Sequence, residues 1–259
     1  MTRICAVIPA AGRGSRLGLD VPKILVPVDQ DKTVWDVLRD NLSPIVERIH
    51  IVLAPSAMAD FSGKLQSDSE RDKITVSEQL EPLGMGDAIF GAERFWAAYD
   101  SILIVWGDQV NLSSLTLEKA AALSNESKTV VLPLVECKSP YVQYDGSDGI
   151  LKGVRQSREG DQMDPIGNSD VGLFILSVPG LLDCWHLFEK ESIVGAQTKE
   201  LNFLPFLPFL SLNCGWKVRV STVNDPTEAI GINTKEELAF TRERFARLKQ
   251  NQSPRQEVG

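Results

Sequence analysis

The chain opens on a short apolar run, Ile4-Cys5-Ala6-Val7-Ile8, that stops at Pro9 and a glycine-bearing loop, the pattern of a buried strand leading into a turn. Thr33 is placed to cap a helix running through Leu42, and Arg48 to Leu53 and Lys73 to Ser77 read as the next two strands. From Gly84 onward, Ala88, Ile89, Ala92, Phe95, Trp96 and Tyr99 recur at helical spacing, which predicts one helix with a single apolar face. Ser101 to Val105 is then a buried strand ending at Trp106-Gly107-Asp108. Strands alternating with helices over the first 135 residues predict an α/β fold with a mainly parallel sheet covered on both faces. Such sheets bind ligands at the carboxyl ends of their strands, so the loops after Ile8, Ser77 and Val105 are where chemistry is expected.

Beyond residue 140 the texture changes. Tyr141 to Tyr144, Ile150 to Gln156 and Val171 to Leu176 predict strands separated by polar turns. Helices are expected at Pro179 to Lys190 and across Lys199 to Leu212, and short strands at Lys217 to Val220 and Ala229 to Ile232. A helix from Lys235 to about Leu248 closes the pattern, and the polar residues after Gln250 predict a frayed end. No internal repeat is visible, and no linker forces a domain boundary.

Composition narrows the function classes. The 259 residues carry 27 Lys and Arg against 35 Asp and Glu, a net charge of −8, which argues against broad nucleic-acid binding. Four dispersed cysteines, Cys5, Cys137, Cys184 and Cys214, with only two histidines make a zinc cage improbable and read as reduced thiols. The apolar start is too short for a signal peptide, and no apolar run approaches the roughly 18 residues needed to cross a bilayer. A soluble cytoplasmic protein with no membrane partner is the expectation; the oligomeric state stays open.

The most informative stretch follows the first strand: Pro9-Ala10-Ala11-Gly12-Arg13-Gly14-Ser15-Arg16-Leu17-Gly18, with Pro22-Lys23 close behind. Small residues let the backbone approach a ligand, and consecutive N–H groups in such a turn form an anion-binding concavity. Arg13, Arg16 and Lys23 concentrate three cations there in an acidic chain, which suits a polyphosphate. Two familiar phosphate loops do not match: Leu17 takes the place of the last glycine of G-x-G-x-x-G, and Leu19 follows Gly18 where a Walker loop needs lysine.

Ala10-Ala11-Gly12-Arg13-Gly14-Ser15-Arg16 with Pro22-Lys23 resembles the signature of sugar-1-phosphate nucleotidyltransferases. The likeness runs most strongly to the N-acetylglucosamine-1-phosphate uridylyltransferase (pyrophosphorylase) domain. It covers most of the chain: Gln79 with Gly84-Met85-Gly86, then Trp106-Gly107-Asp108 and Gly231-Ile232-Asn233, fall in the family's order. The resemblance implies a three-layer α/β/α Rossmann-like fold with a mixed, mainly parallel sheet. One domain is expected over residues 1–250, with a nucleotide half to about 135 and a sugar half over about 136–233. The acetyltransferase domain that often follows in that family is not expected here.

The reaction so implied joins a nucleoside triphosphate and a sugar 1-phosphate, releases pyrophosphate, and depends on Mg2+. It needs no protein nucleophile, so positioning and charge neutralisation carry the catalysis. By resemblance, Arg16 steadies the β/γ-phosphates, Lys23 neutralises charge near the α-phosphorus, Arg13 assists, and Ala10 to Gly14 cradle the triphosphate and base. Asp108 and Asn233 match the family's metal ligands, and magnesium's preference for few protein oxygens agrees. On residues alone Asp108 equally suits a turn and Asn233 a helix cap. Gln79, Gly84 and Met85 match the base-reading positions, with Met85 in place of the family's Thr, so the base stays open; Gly107 falls in the same nucleotide set. Val142, Gln156 and Asp170 stand where the N-acetylglucosamine enzymes carry Gly, Glu and Asn, which argues for a different acceptor.

Asp225 is a fallback metal ligand, although Asn224-Asp225-Pro226 is more simply a turn. Asp29-Gln30-Asp31 is formally the D-x-D of many glycosyltransferases but lies in a polar turn, and Trp96, Trp185 and Trp216 read as core. Three other functions compete: a cytidylyltransferase acting on a non-sugar phosphorylated alcohol, a catalytically silent nucleotide-sugar-binding regulator, and a glycosyltransferase. Joint presence of Arg16, Lys23, Asp108 and Asn233 disfavours the silent regulator.

Overall fold

The structure is a computed structural model and describes residues 2–12, 17–19, 21–191, 195, 197 and 200–252. Its first half alternates strands and helices: β1 (Ile4–Ala10), α1 (Val34–Leu42), β2 (Arg48–Leu53), α2 (Pro55–Gln66), β3 (Ile74–Glu78), α3 (Met85–Phe90), α4 (Glu93–Trp96), β4 (Ser101–Val105) and α5 (Ser114–Ala122). Then come β5 (Thr129–Lys138), the hairpin β6 (Val142–Ser147) and β7 (Ile150–Gln156), β8 (Ile166–Asp170) and β9 (Leu173–Ser177). The chain finishes with α6 (Leu181–Glu191), α7 (Phe206–Asn213), β10 (Lys217–Thr222) and α8 (Lys235–Gln252).

One sheet organises these elements in the order β10-β5-β9-β4-β1-β2-β3, with β8 beside the far end of β5. β1 runs parallel to β2 and β4, β2 to β3, and β10 to β5, while β9 and β8 run antiparallel to their neighbours. The mixed, mainly parallel sheet in a three-layer sandwich is the fold the sequence implied. Alternation along β1 shows how: Ile4, Ala6 and Ile8 enter one core cluster, Cys5 and Val7 the other, so both faces are buried. The first cluster packs Trp35 edge-on against Phe61 at 4.9 Å. In the second, Phe90 stacks on Trp185 at 4.0 Å and Phe206 meets that indole edge-on at 5.0 Å. Trp96, Trp185 and Trp216 are buried, as their apolar neighbours predicted.

Local chemistry sets the boundaries. Thr33 caps α1 in a reciprocal pair: its hydroxyl accepts from the Asp36 N–H, and the Asp36 carboxylate accepts from the Thr33 N–H at 2.9 Å. The helix expected from Gly84 to Tyr99 is two short ones, because the chain turns at Gly91-Ala92; Ala88, Ile89, Ala92 and Trp96 are buried all the same. Pro205 delays α7 to Phe206, later than the predicted start at Lys199, and Lys199 itself lies outside the described residues. The expected strand at Ala229 to Ile232 is absent. A 3-10 turn at Pro226–Ala229 replaces its start, held by the Asp225 carboxylate accepting from the Thr227 N–H at 2.9 Å. The predicted strand at Val171 to Leu176 is β9 alone; Val171-Gly172 is the break that separates it from β8. α8 runs through Gln252, and the tail expected to fray lies outside the described residues from 253 onward. Among the described residues no helix is long and apolar enough to cross a membrane.

His50 on β2 is fully buried between β3 hydroxyls: its ring nitrogens lie 2.9 Å from Thr75 Oγ1 and 2.9 Å from Ser77 Oγ, and the ring stacks on Phe95 at 3.9 Å. Burial, with the Arg94 charge adding to it, lowers its pKa to about 4. The unfolded chain therefore binds a proton that the folded chain refuses. This contribution to stability is complete above the ordinary histidine range and is lost as pH falls from about 6.5 towards 4. Denaturant midpoints recorded from pH 7 to 4.5 should fall, and the His50→Gln protein, less stable throughout, should fall less. The difference between the two profiles isolates His50, since Asp170, raised by burial, titrates with the opposite sign. Parallel profiles would contradict this account.

Candidate functional site

A cavity of about 550 Å³ opens at the carboxyl ends of β1 and β4, where a doubly wound sheet places its ligands. Three segments build its floor. Pro22 precedes a 3-10 turn, Lys23–Leu25, whose Leu25 N–H bonds the Pro22 carbonyl at 2.8 Å and so fixes the base of the Lys23 side chain. Beyond β4 the chain turns at Trp106-Gly107-Asp108, with the Gln109 N–H on the Trp106 carbonyl at 3.0 Å. The third segment, Ala229 to Thr234, is tied in by the Ile232 N–H donating to the Asp108 carbonyl at 3.1 Å. Close approach requires glycine here: a Cβ on Gly107 would lie 2.8 Å from that of Ala10.

On this floor the Lys23 ammonium donates to Asp108 Oδ2 at 2.8 Å and to Asn233 Oδ1 at 2.9 Å. The pair is largely shielded, with the Lys23 and Asp108 side chains 20% and 15% exposed, so water screens it only partly. Asn233 is not the cap of α8. Thr234 takes that role, its hydroxyl accepting from the Glu237 N–H at 3.2 Å while the Glu237 carboxylate accepts from the Asn233 and Thr234 N–H groups. The Asn233 side chain is thereby turned to the cavity, where it also lines the wall.

Asp108 and Asn233 both offer an oxygen to one cation. Among the described residues no group of three or more His, Cys, Asp or Glu could hold a metal. Two hard oxygens on an open wall suit a magnesium ion that completes its shell with water and phosphate oxygens, and would not make a closed protein cage. The donor set fits the implied metal.

The other wall comes from the hairpin and β8. Gln156 is buried and its Oε1 accepts from Asn202 Nδ2 at 2.7 Å. Asp170 is buried too, accepting from the Tyr144 hydroxyl at 3.0 Å and the Gly172 N–H at 2.7 Å. Burial raises the Asp170 carboxyl and raises the Tyr144 hydroxyl further still. Val142 lies beside them in the cavity lining.

Ala10, Gly12, Lys23, Met85, Gly107, Asp108, Gln156, Asp170 and Asn233 all line this one cavity. Ala11, Gln79 and Gly84 are not part of the lining. Gln79 instead holds its own loop, its amide nitrogen donating to the Gly84 carbonyl at 3.0 Å and to Asp87 Oδ2 at 2.6 Å. Arg13, Gly14 and Arg16 lie outside the described residues. Asp225 is turned away from the lining and pairs with Arg244 at 3.0 Å. Asp29 of the D-x-D pairs with Lys249 and accepts from the Gln30 N–H, as a loop residue would.

Gln109 and Arg158 are among the lining residues that were not anticipated. Gln109 directly follows Asp108 and packs where Gly172 leaves room: a Cβ on Gly172 would lie 2.3 Å from Gln109 Cγ and 2.8 Å from Trp106 Cδ1, at a φ of +70°. Gly172→Ala should combine left-handed strain of about 1–2 kcal/mol with overpacking of about 1–3 kcal/mol, and lower the thermal midpoint by roughly 4–20 °C. Gly160→Ala, also at positive φ but with nothing within 4 Å of its Cβ, should lose less than half as much. Equal losses would remove the collision from the explanation.

Residues 6–161 match the MobA-like NTP transferase domain. The bifunctional protein GlmU of Aquifex aeolicus (strain VF5) is 25% identical over 248 residues, covering 91% of this chain and 52% of that protein. GlmU of Thermotoga sp. (strain RQ2) is 23% identical over 246 residues, covering 93% and 51%. The chain thus spans about half the length of the curated relatives it matches. A solved structure of a Bacillus anthracis protein assigned as a glucose-1-phosphate thymidylyltransferase superposes with a TM-score of 0.74 at 15% identity, covering 93% of this chain and 94% of that one. That likeness is one of fold. The match covers well over half of the sequence, including the β1 loop with Lys23 and the Asp108 turn, and the chain belongs to the MobA-like NTP transferase domain family.

Proposed function

We propose that the protein is a nucleotidyltransferase that joins a nucleoside triphosphate and a sugar 1-phosphate to give a nucleoside-diphosphate sugar and pyrophosphate. The observation that carries this reading is the convergence of Lys23, Asp108 and Asn233 on one cavity at the strand ends. An oxygen of the acceptor phosphate attacks the α-phosphorus, the bond from that phosphorus to the bridging oxygen breaks, and pyrophosphate leaves with the electron pair. Lys23 supplies positive charge to the α-phosphoryl group and Ala10 to Gly14 approach the triphosphate, with Arg13 and Arg16 contributing cations from the same loop. Asp108 and Asn233 would hold Mg2+, which neutralises phosphate charge and orients the oxygens when bound.

Gln79, Gly84 and Met85 belong to the base side, and Gln156 and Asp170 to the acceptor side. The half to about residue 135 accordingly serves the nucleotide and the stretch over about 136–233 the acceptor. Incubation of each of the four NTPs with Mg2+ and a panel of sugar phosphates should release pyrophosphate for at least one pair. Folded protein that turns over no pair, yet binds a nucleotide sugar, would replace this reading with that of a silent binder.

A further inference from the structure

Gln109 and Arg158, both in the cavity lining, each hold a buried polar atom with no hydrogen-bond partner among the described residues: Gln109 Oε1 and Arg158 Nη2. Gln109 is 4% exposed, and its oxygen is buried and meets no donor among the described residues. An orphaned buried polar atom costs about 1–3 kcal/mol, and a binding cavity is where such a cost is recovered when ligand arrives. Arg158 extends from the turn that follows β7, on the acceptor wall. Its nearest carboxylate among the described residues is Glu159 Oε1, 3.8 Å from Nε, too far for a hydrogen bond, and Glu159 also accepts from the Gln197 N–H at 3.0 Å. The Lys23 ammonium, by contrast, is held by Asp108 and Asn233 on the opposite segments.

We propose that the acceptor carries a second anionic group besides the phosphate that is nucleotidylated, and that Arg158 binds it while Gln109 Oε1 accepts from an acceptor hydroxyl or N–H. The inference rests on the nucleotidyltransferase reading and names the acceptor class within it. The rest of the acceptor wall agrees: Gln156 is neutral, Val142 is apolar, and the Asp170 carboxyl is committed to Tyr144 and Gly172. A guanidinium there has nothing to neutralise in a neutral sugar. A planar fork suits a carboxylate or a phosphate equally, and both are oxyanions in this sense.

The test measures acceptor binding by calorimetry with a triphosphate whose α,β-bridge cannot be cleaved, so that it reports even without turnover. Three acceptors are compared: glucose 1-phosphate, glucuronate 1-phosphate and glucose 1,6-bisphosphate. At least one acceptor with a second anionic group should bind about ten- to a hundredfold more tightly than glucose 1-phosphate, the range of a charge-assisted hydrogen bond, and which one does so identifies carboxylate or phosphate as the source. Arg158→Gln should bring that ratio close to one, and Arg158→Lys should restore part of it. Gln109→Met should weaken all three acceptors to a similar extent, about tenfold. Equal binding of all three to the wild type overturns the proposal. So does an Arg158→Gln protein that loses acceptors with and without the second anionic group equally, since Arg158 would then hold the transferred phosphate. In a parallel assay with cleavable NTPs and Mg2+, absence of pyrophosphate release from every acceptor would instead count against the nucleotidyltransferase reading.

Discussion

Lys23→Ala should lower pyrophosphate release at saturating substrates by about 100- to 1,000-fold, the usual loss when one preorganised group facing developing charge is removed. The ammonium is pinned from below by Pro22 and the 3-10 turn, and aimed by Asp108 and Asn233 at 2.8 and 2.9 Å. It needs no reorganisation to meet an incoming α-phosphoryl group. The loss should appear in kcat and kcat/KM alike, because charge at the α-phosphorus grows on the way to the transition state. Lys23→Arg should recover little, since a planar fork does not reproduce a compact point charge. The same geometry gives a second readout with opposite sign. The Lys23 ammonium occupies the point that Asp108 and Asn233 share, so Lys23→Met should raise the Mn2+ affinity of nucleotide-free protein severalfold. A Lys23→Ala protein with normal turnover, or a Lys23→Met protein with unchanged Mn2+ affinity, would refute the role given to this side chain.

Asp108→Asn should cost a similar factor, about 100- to 1,000-fold in kcat/KM, and for a separable reason. The amide keeps the volume above Gly231, whose Cβ position is only 3.0 Å from Asp108 Cγ, so the turn is preserved. What it removes is the anionic oxygen of the proposed ion site. Half-saturating Mg2+ should therefore rise at least tenfold, with part of the activity returning at high metal concentration. Asn233→Ala should show the same trend to a smaller degree, as a neutral ligand is lost. A circular dichroism melt within a few degrees of wild type would show that the fold is intact. Activity lost in Asp108→Asn with unchanged metal dependence would assign the carboxylate to holding Lys23 and not to the metal.

The sequence was most legible where one physical signal dominated. β1 and β4 carry near-continuous apolar runs because both faces of the sheet are covered, and the Thr33 cap announced α1. Lys23, Asp108 and Asn233 stand out through the family resemblance, and of the three only Asp108 closely follows such a strand. Where signals competed, the reading slipped. The apolar face from Gly84 to Tyr99 kept its helical period while the backbone turned at Gly91, since burial follows side-chain direction and not hydrogen bonding. Ala229 to Ile232 looked like a strand, but Pro226 and the Asp225 cap commit its start to a 3-10 turn that ends at Ala229. Gln79 was legible as a loop amide and not as a loop brace, because its partner Asp87 lies in the next helix. Gln109 and Arg158 carry no periodicity and no motif. Only packing shows that Gly172 seats one and that the other lines the cavity with Nη2 unpaired among the described residues.

The central claim is that a metal–triphosphate binds between the loop leaving β1 and the Asp108–Asn233 pair. The most direct measurement is anomalous scattering from Mn2+ in crystals grown with a triphosphate that cannot be cleaved at its α,β-bridge. The account predicts a single peak bonded to an Asp108 carboxylate oxygen and to Asn233 Oδ1, with the Lys23 ammonium moved onto the α-phosphate. A metal and nucleotide bound elsewhere, with Lys23 still held by Asp108 and Asn233, would contradict it.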